Sequence, residues 1–234
     1  MANNTKNSNM VVGLDIGTSK VVCIVGKYNE SNKLEIISLG SYPSSGLKKG
    51  VVVNIDATTD AIKKAVEQAQ SMIEEKINSV YVGIAGNHIK SLNSQGAVGI
   101  KDKEVTPFDI DRVIDSAQAV SIPSDQNVLH VLPQEYVIDN QEVSLDPLGM
   151  AGVRLEAKVH LVTCANSAIK NIEKCIKNCG LAVDGFVLEQ LASSHSILSE
   201  DEKELGVCLV DIGGGTTDIA IFNSGSIVFT GVIP

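Results

Sequence analysis

Two short stretches of the sequence decide the fold: GLDIGTSK at residues 13–20 and LVDIGGGTTD at residues 209–218. Both follow one plan, in which an apolar run leads into Asp-Ile-Gly, then into residues with hydroxyl groups, and then into a second apolar run. Apolar runs interrupted by glycine and polar residues indicate a strand, a tight turn and a second strand. A third strand pattern follows each hairpin, at Leu34–Leu39 and at Ser226–Val232, so the sequence predicts two three-stranded meanders.

Turns of this composition suit a phosphate group. Glycine accepts a positive φ and lets backbone N–H groups approach a phosphate that a Cβ atom would obstruct. Hydroxyl groups add further donors, and each charge-assisted hydrogen bond contributes on the order of 1.5 to 3 kcal/mol. The candidate nucleotide-binding residues are Gly17, Thr18, Ser19, Lys20, Gly213, Gly214, Gly215, Thr216 and Thr217.

An aspartate ends the first strand of each hairpin, at Asp15 and at Asp211. A carboxylate repels a phosphate, so we expect both to hold Mg²⁺, mainly through water, because that ion gives up its hydration shell reluctantly. Either hairpin alone could equally be an ordinary turn, since Asp, Gly and Thr are common turn residues. The repetition favours a phosphate-binding role. The spacing excludes a Rossmann fingerprint, and no Walker lysine follows the glycines.

Composition and charge narrow the class of protein. The chain has 234 residues, of which 44% are hydrophobic and 20% charged, which is typical of packed globular structure. Its net charge of -9 argues against nucleic acid as a partner, because phosphate-backbone affinity depends on Lys and Arg. No signal-peptide or membrane-spanning pattern is recognisable, so we expect a cytoplasmic location. The five cysteines are odd in number and are expected to be reduced thiols.

Helix and strand patterns alternate between the two hairpins. Apolar residues at helical spacing predict a helix over Asp56–Lys76, with Asp56 or Thr58 as its N-cap. We expect the acidic stretch Glu200–Glu204, which precedes the second hairpin, to be a solvated connector.

The pattern changes over residues 86–162. More polar strands, among them His88–Leu92 and Ala97–Ile100, surround a single clear helix. That helix begins at Thr106, where a following proline and an acidic third residue form an N-terminal signal. Residues 86–162 are therefore predicted to form an inserted α+β subdomain.

The segment VLEQLASS at residues 187–194 completes a set of three motifs. The two hairpins and this segment resemble the phosphate-1, phosphate-2 and first connecting motifs of the actin, Hsp70 and sugar-kinase ATPase superfamily. The resemblance implies an α/β, actin-like (ribonuclease H-like) ATPase fold that binds ATP with Mg²⁺. It also implies that Glu189 is the catalytic residue that helps to order the attacking water. We expect all four histidines to have structural roles, because they form no metal-binding pattern. His195 is the one that lies near this motif in the sequence.

Three further segments resemble the FtsA family of bacterial actin-like cell-division proteins: IAGNHI at 84–89, LHVLPQEY at 129–136 and GMAGVRLE at 149–156. The resemblance covers residues 10–234 and implies a domain division in that family's terms. Residues 1–9 are then a disordered lead-in, 10–85 and 163–204 subdomain 1A, 86–162 the inserted subdomain 1C, and 205–234 the start of a truncated subdomain 2A. The rest of 2A, subdomain 2B with the adenosine motif and a C-terminal membrane helix are missing, which implies a fragment.

The family resemblance implies a nucleotide-dependent assembly protein that is at most a weak ATPase and that polymerises into protofilaments. In its full-length form it would link FtsZ and later division proteins to the inner face of the cytoplasmic membrane at the division site. Two alternatives remain open. A turnover ATPase or small-molecule kinase of the same superfamily would need a substrate-side catalytic Asp. A pilus-assembly scaffold would share the fold.

Overall fold

The computed structural model describes residues 9–143 and 146–234. The predicted lead-in over residues 1–9 lies outside the described residues except for Asn9. The elements in chain order are β1 Met10–Ile16, β2 Lys20–Tyr28, β3 Leu34–Pro43, β4 Leu47–Lys48, β5 Val51–Val52, α1 Ile55–Gln70, β6 Ser79–Ile84, β7 Ile89–Gly99, α2 Pro107–Gln118, β8 Gln126–Ile138, β9 Gln141–Val143, β10 Arg154–Ala165, α3 Asn166–Asn178, β11 Ala182–Leu188, α4 Glu189–Ile197, α5 Glu200–Leu205, β12 Val207–Ile212, β13 Thr217–Asn223 and β14 Ser226–Ile233.

A five-stranded sheet in the order β11-β6-β1-β2-β3 forms the centre of the molecule. Strands β1, β2 and β3 are the antiparallel meander predicted from the sequence, and β6 and β11 add to it in parallel. Alternate residues of β1, namely Val12, Leu14 and Ile16, are buried in the same apolar core as residues of α1 and α3. This packing fixes β1 and therefore the turn that follows it.

Helix α1 differs at both ends from the sequence prediction. Its N-cap is Asn54, whose side chain accepts the Ala57 N–H at 3.0 Å, so the expectation of Asp56 or Thr58 was wrong. The helix ends at Gln70 and not at Lys76, because the Gln70 side chain bonds to the backbone of the turn that leads into β6.

An antiparallel sheet in the order β7-β10-β8-β9 contains most of the segment predicted as an insertion. The expected strands His88–Leu92 and Ala97–Ile100 are parts of one strand, β7, because β10 pairs with it from Ile89 to Gly99. Helix α2 packs on this sheet and begins with the capping box formed by Thr106 and Asp109, which confirms the predicted helix start.

The third sheet is the antiparallel meander β12-β13-β14, as predicted for the second hairpin. The acidic stretch before it was expected to be a connector and is instead helix α5. Ser199 and Glu202 form a capping box at its start, and the buried Lys203 pairs with Glu200. The prediction was wrong because the capping pattern outweighs the repulsion between neighbouring acids.

All five cysteines are free thiols, as expected. Among the residues that the structure describes, no helix combines the length and the apolar character needed to cross a membrane.

The contact between β3 and α1 gives a test of the fold. A Cβ atom at Gly40 would overlap the carbonyl oxygen of Ala65 and lie 2.7 Å from the Ala69 nitrogen. We expect Gly40→Ala to lower the free energy of unfolding by about 1–3 kcal/mol, because neither backbone atom can move without separating strand from helix. Urea denaturation measures the loss, with Gly99→Ala as the control, since a Cβ there meets open space. Equal stability of the two variants would contradict this packing.

Candidate functional site

The two hairpins have the same register. Pairing of β1 with β2 reaches Ile16 opposite Val21, and pairing of β12 with β13 reaches Ile212 opposite Thr217. Each pair therefore closes a turn of the same length. The repeat seen in the sequence is a repeat in three dimensions.

The turns are also closed by the same hydrogen bond. The Gly17 N–H donates to the Lys20 carbonyl at 3.0 Å, and the Gly213 N–H donates to the Thr216 carbonyl at 2.9 Å. Within residues 9–143 and 146–234, the amides that follow each of these glycines make no backbone hydrogen bond, so they are available to a ligand. These amides belong to Thr18, Ser19, Gly214 and Gly215.

The two turns lie against each other. A Cβ atom at Gly214 would lie 2.9 Å from Ser19 Cβ, and one at Gly215 would lie 2.8 Å from Thr18 Oγ1. The Thr18 hydroxyl also accepts the Gly50 N–H at 3.2 Å, which ties the first turn to the loop before β5. Glycine is therefore required in the second turn for contact with the first, in addition to any role in binding phosphate.

A cleft of about 460 Å³ lies between the turns. Thr217 is not among the lining residues, because side chains alternate along β13 and its neighbour Asp218 is the one that faces the cleft. The sequence-predicted site residues that do line it are Asp15, Gly17, Thr18, Ser19, Lys20, Glu189, Asp211, Gly213, Gly214, Gly215 and Thr216. The fold thus brings together residues from both hairpins and from the connecting segment.

Glu189 enters this cleft at the first residue of α4. Gly83 on the neighbouring strand β6 leaves room for it, since a Cβ there would lie 3.2 Å from Glu189 Cγ. Burial raises the pKa of Glu189 to about 8, and repulsion from Asp15, Asp218 and Asp211 adds to the shift.

The aspartates of the cleft are perturbed in the same direction. Asp15 is exposed within the cleft, but the protein around its carboxyl displaces part of the water, and this desolvation raises its pKa. Lys20 opposes the shift and Asp211 adds to it. Burial also raises the pKa of Asp218. The cleft therefore groups several carboxylates around the single lysine, Lys20, among its lining residues.

Asp218 is a site residue that the sequence reasoning did not single out. It is buried, accepts from Gln190 Nε2 at 3.1 Å and accepts from the Thr216 hydroxyl at 2.9 Å. The register places it opposite Asp211, where the first hairpin has Val22 opposite Asp15. A carboxylate in place of valine was the signal available in the sequence.

The histidines are arranged differently from the expectation. His195, the one nearest the connecting motif in sequence, is exposed on α4. His130 on β8 instead contacts that motif, because its Nε2 accepts the Leu188 N–H at 3.0 Å. The expectation that His130 is structural agrees with this bond to the backbone, but the sequence did not indicate that the bond joins His130 to the connecting motif.

The carboxylates do not form a closed metal centre. In the described ranges, no three His, Cys, Asp or Glu side chains are grouped closely enough to hold a metal ion by themselves. A cation held here would take its remaining ligands from water or from a phosphate, which is the usual state of Mg²⁺ in proteins.

Solved structures with this fold identify its class. A chain of the PilM-PilN type IV pilus biogenesis complex superposes with a TM-score of 0.70 at 15% identity, covering 95% of this chain and 61% of that one. The ethanolamine utilization protein EutJ from Carboxydothermus hydrogenoformans superposes with a TM-score of 0.53 at 15% identity, covering 99% and 54%. The fold is that of the actin-like ATPases, which confirms the predicted fold class.

Sequence relatives narrow the class. Residues 86–163 match the SHS2 domain inserted in FtsA. Proteins named "Cell division protein FtsA" are 64% identical in Pseudomonas aeruginosa, over 98% of this chain and 55% of the relative, and 47% identical in Escherichia coli K12, over 96% and 54%. The chain belongs to the FtsA family and spans about half the length of these relatives.

The raised pKa of Glu189 predicts a pH dependence of stability. Between its ordinary value of 4.5 and about 8, the folded chain binds more protons than the unfolded chain. Stability of the metal-free chain should therefore fall as the pH rises through this window, and Glu189→Gln should weaken that dependence. Urea unfolding across the window measures it. Glu204→Gln is the control, since Glu204 is exposed on α5. A Glu189→Gln profile that matches the control would contradict the assignment.

Proposed function

We propose that this chain binds Mg-ATP between its two hairpins. The observation that carries the proposal is the meeting of two equivalent glycine turns across one cleft. The amides of Thr18, Ser19, Gly214 and Gly215 are the phosphate donors, with Gly17, Lys20, Gly213 and the Thr216 hydroxyl around them. Thr217 pairs with Ile212 and thereby supports the turn.

The charge of the cleft fits a divalent cation. Asp15 and Asp211 hold Mg²⁺ through water. Burial raises the pKa values of Asp15, Asp218 and Glu189, and a cation would offset the repulsion among these carboxylates, which adds to the shift. When bound, Mg²⁺ would also neutralise part of the phosphate charge.

Glu189 is the residue that orders the attacking water. It lies in the cleft with Asp15, Asp211 and both turns. A carboxylate accepts a proton only when ionised, and with a pKa of about 8 Glu189 is mostly protonated at neutral pH. A bound cation would lower this pKa by offsetting the aspartates that add to the effect of burial, so more Glu189 would be ionised with the metal present. This favours a slow ATPase whose activity depends on the metal.

The biological role is cell division. Relatives that carry the name "Cell division protein FtsA" are 64% and 47% identical, and the matching inserted domain supports the same assignment. We infer that the longer protein assembles into protofilaments when it binds nucleotide. Its partners are FtsZ and later division proteins, and it acts at the inner face of the cytoplasmic membrane at the division site.

The domain division of the family applies to this proposal. Residues 10–85 and 163–204 are subdomain 1A, residues 86–162 are subdomain 1C, and residues 205–234 belong to subdomain 2A.

The alternative functions have less support. The chain of the pilus complex is only 15% identical to this one, so that comparison concerns the fold alone. For a small-molecule kinase, we identify no substrate-side catalytic Asp among the described residues.

Calorimetric titration with Mg-ATP tests the proposed site. We expect binding that is lost when EDTA removes the metal, and that weakens by about tenfold or more, equivalent to about 1.4 kcal/mol, in Gly215→Ala. The reason is that a Cβ at Gly215 would lie 2.8 Å from Thr18 Oγ1 and push the turns apart. Gly99→Ala is the control, because its Cβ meets open space. Absence of Mg-ATP binding, or equal affinity of the two variants, would contradict the proposal.

A further inference from the structure

His130 lies at the junction between the inserted sheet and the connecting motif. Its Nε2 atom, on β8, accepts the Leu188 N–H at 3.0 Å. Leu188 is fully buried, ends β11 and immediately precedes Glu189. One hydrogen bond therefore joins the inserted sheet to the backbone next to the proposed catalytic carboxylate.

The position of β11 explains why this bond matters. Strand β11 is at the edge of the five-stranded sheet, and β6 is its only neighbour in that sheet. The Leu188 N–H points to β8 and has His130 as its acceptor. A buried N–H without an acceptor costs about 1–3 kcal/mol, so the chain favours the arrangement in which this bond is made.

The start of helix α4 lacks a side-chain cap from any residue in the described part of the chain. Leu188 occupies the N-cap position. On the far side of Glu189, the fully buried Gln190 donates to Asp218 at 3.1 Å. Glu189 is thus held between one bond to the inserted sheet and one bond to the second hairpin.

We propose that His130 is a positioning residue for Glu189, because its bond to the Leu188 amide fixes where β11 ends and α4 begins. This inference rests on the proposed role of Glu189 in nucleotide hydrolysis. It couples the inserted sheet to the nucleotide site through the Leu188 amide.

The bond requires one chemical form of His130. Nε2 can accept only when it carries no proton, so the ring is neutral with its proton on Nδ1. Burial lowers the pKa of His130, which favours this neutral form. Tautomers are read directly from ¹⁵N NMR shifts, so this requirement can be checked in the unaltered chain.

Two variants separate positioning from simple loss of structure. His130→Phe keeps a planar ring but has no acceptor, whereas His130→Gln keeps an acceptor on its amide oxygen. His195→Phe is the matched control, because His195 is exposed on α4 and lies outside the site. ATP hydrolysis by the full-length protein is measured for all three, together with the ¹³C titration of the Glu189 carboxyl in this chain without metal.

We expect His130→Phe to lower kcat by about 10- to 100-fold, with KM for ATP changed by about twofold or less, because a small displacement of a catalytic group has an effect of this size. His130→Gln should recover most of kcat, and His195→Phe should change neither parameter. Burial is the main cause of the raised pKa of Glu189, so a displacement that exposes this carboxyl should lower its pKa in His130→Phe only.

Unchanged kcat and an unchanged Glu189 titration in a folded His130→Phe would overturn the proposal. If that variant does not fold, the ¹⁵N tautomer decides, because a proton on Nε2 of His130 in the unaltered chain is incompatible with the bond. If the unaltered protein neither binds nor hydrolyses Mg-ATP, the proposed function fails, and the Glu189 titration still tests the positioning.

Discussion

The contact between the two glycine turns is the constraint on which the rest of the site depends. Gly214 and Gly215 face Ser19 and Thr18 at distances that leave no room for a side chain. The turns come from sheets far apart in the sequence, and each sheet has its own apolar core. The cleft therefore exists only where two separately stabilised hairpins meet, and a ligand that bonds to both turns would hold the two sheets together.

The charge of the cleft opposes that contact when nothing is bound. Asp15, Asp211, Asp218 and Glu189 lie around one cavity of about 460 Å³. Burial, with repulsion between neighbouring carboxylates adding to it, raises the pKa values of Asp15, Asp218 and Glu189. Grouping partly buried carboxylates lowers the stability of the fold, and such groups are typical of functional sites. A bound cation would relieve the repulsion, so binding of metal and closure of the hairpins are expected to be linked.

Local patterns were sufficient to predict much of this arrangement. Both hairpins, both meanders and the capped start of α2 follow from adjacent residues, and the structure confirms them. Helix α5 differs from the predicted connector. Ser199 and Glu202 form a local capping signal there, and the run of acidic residues that follows obscures it in the sequence. Asp218 could have been found by aligning the two hairpins, because it replaces Val22 of the first one. The contact of His130 depends on packing between sheets, which single-sequence patterns do not contain.

The central claim is that the two hairpins bind one nucleotide together, and a paramagnetic metal tests it most directly. Mn²⁺ can replace Mg²⁺ in many such sites, and it broadens NMR signals of nearby amides. With Mn²⁺ and ATP, we expect the amide signals of residues 17–20 and of residues 213–217 to broaden together at the same metal concentration. Broadening of one turn without the other, or of neither, would contradict the account.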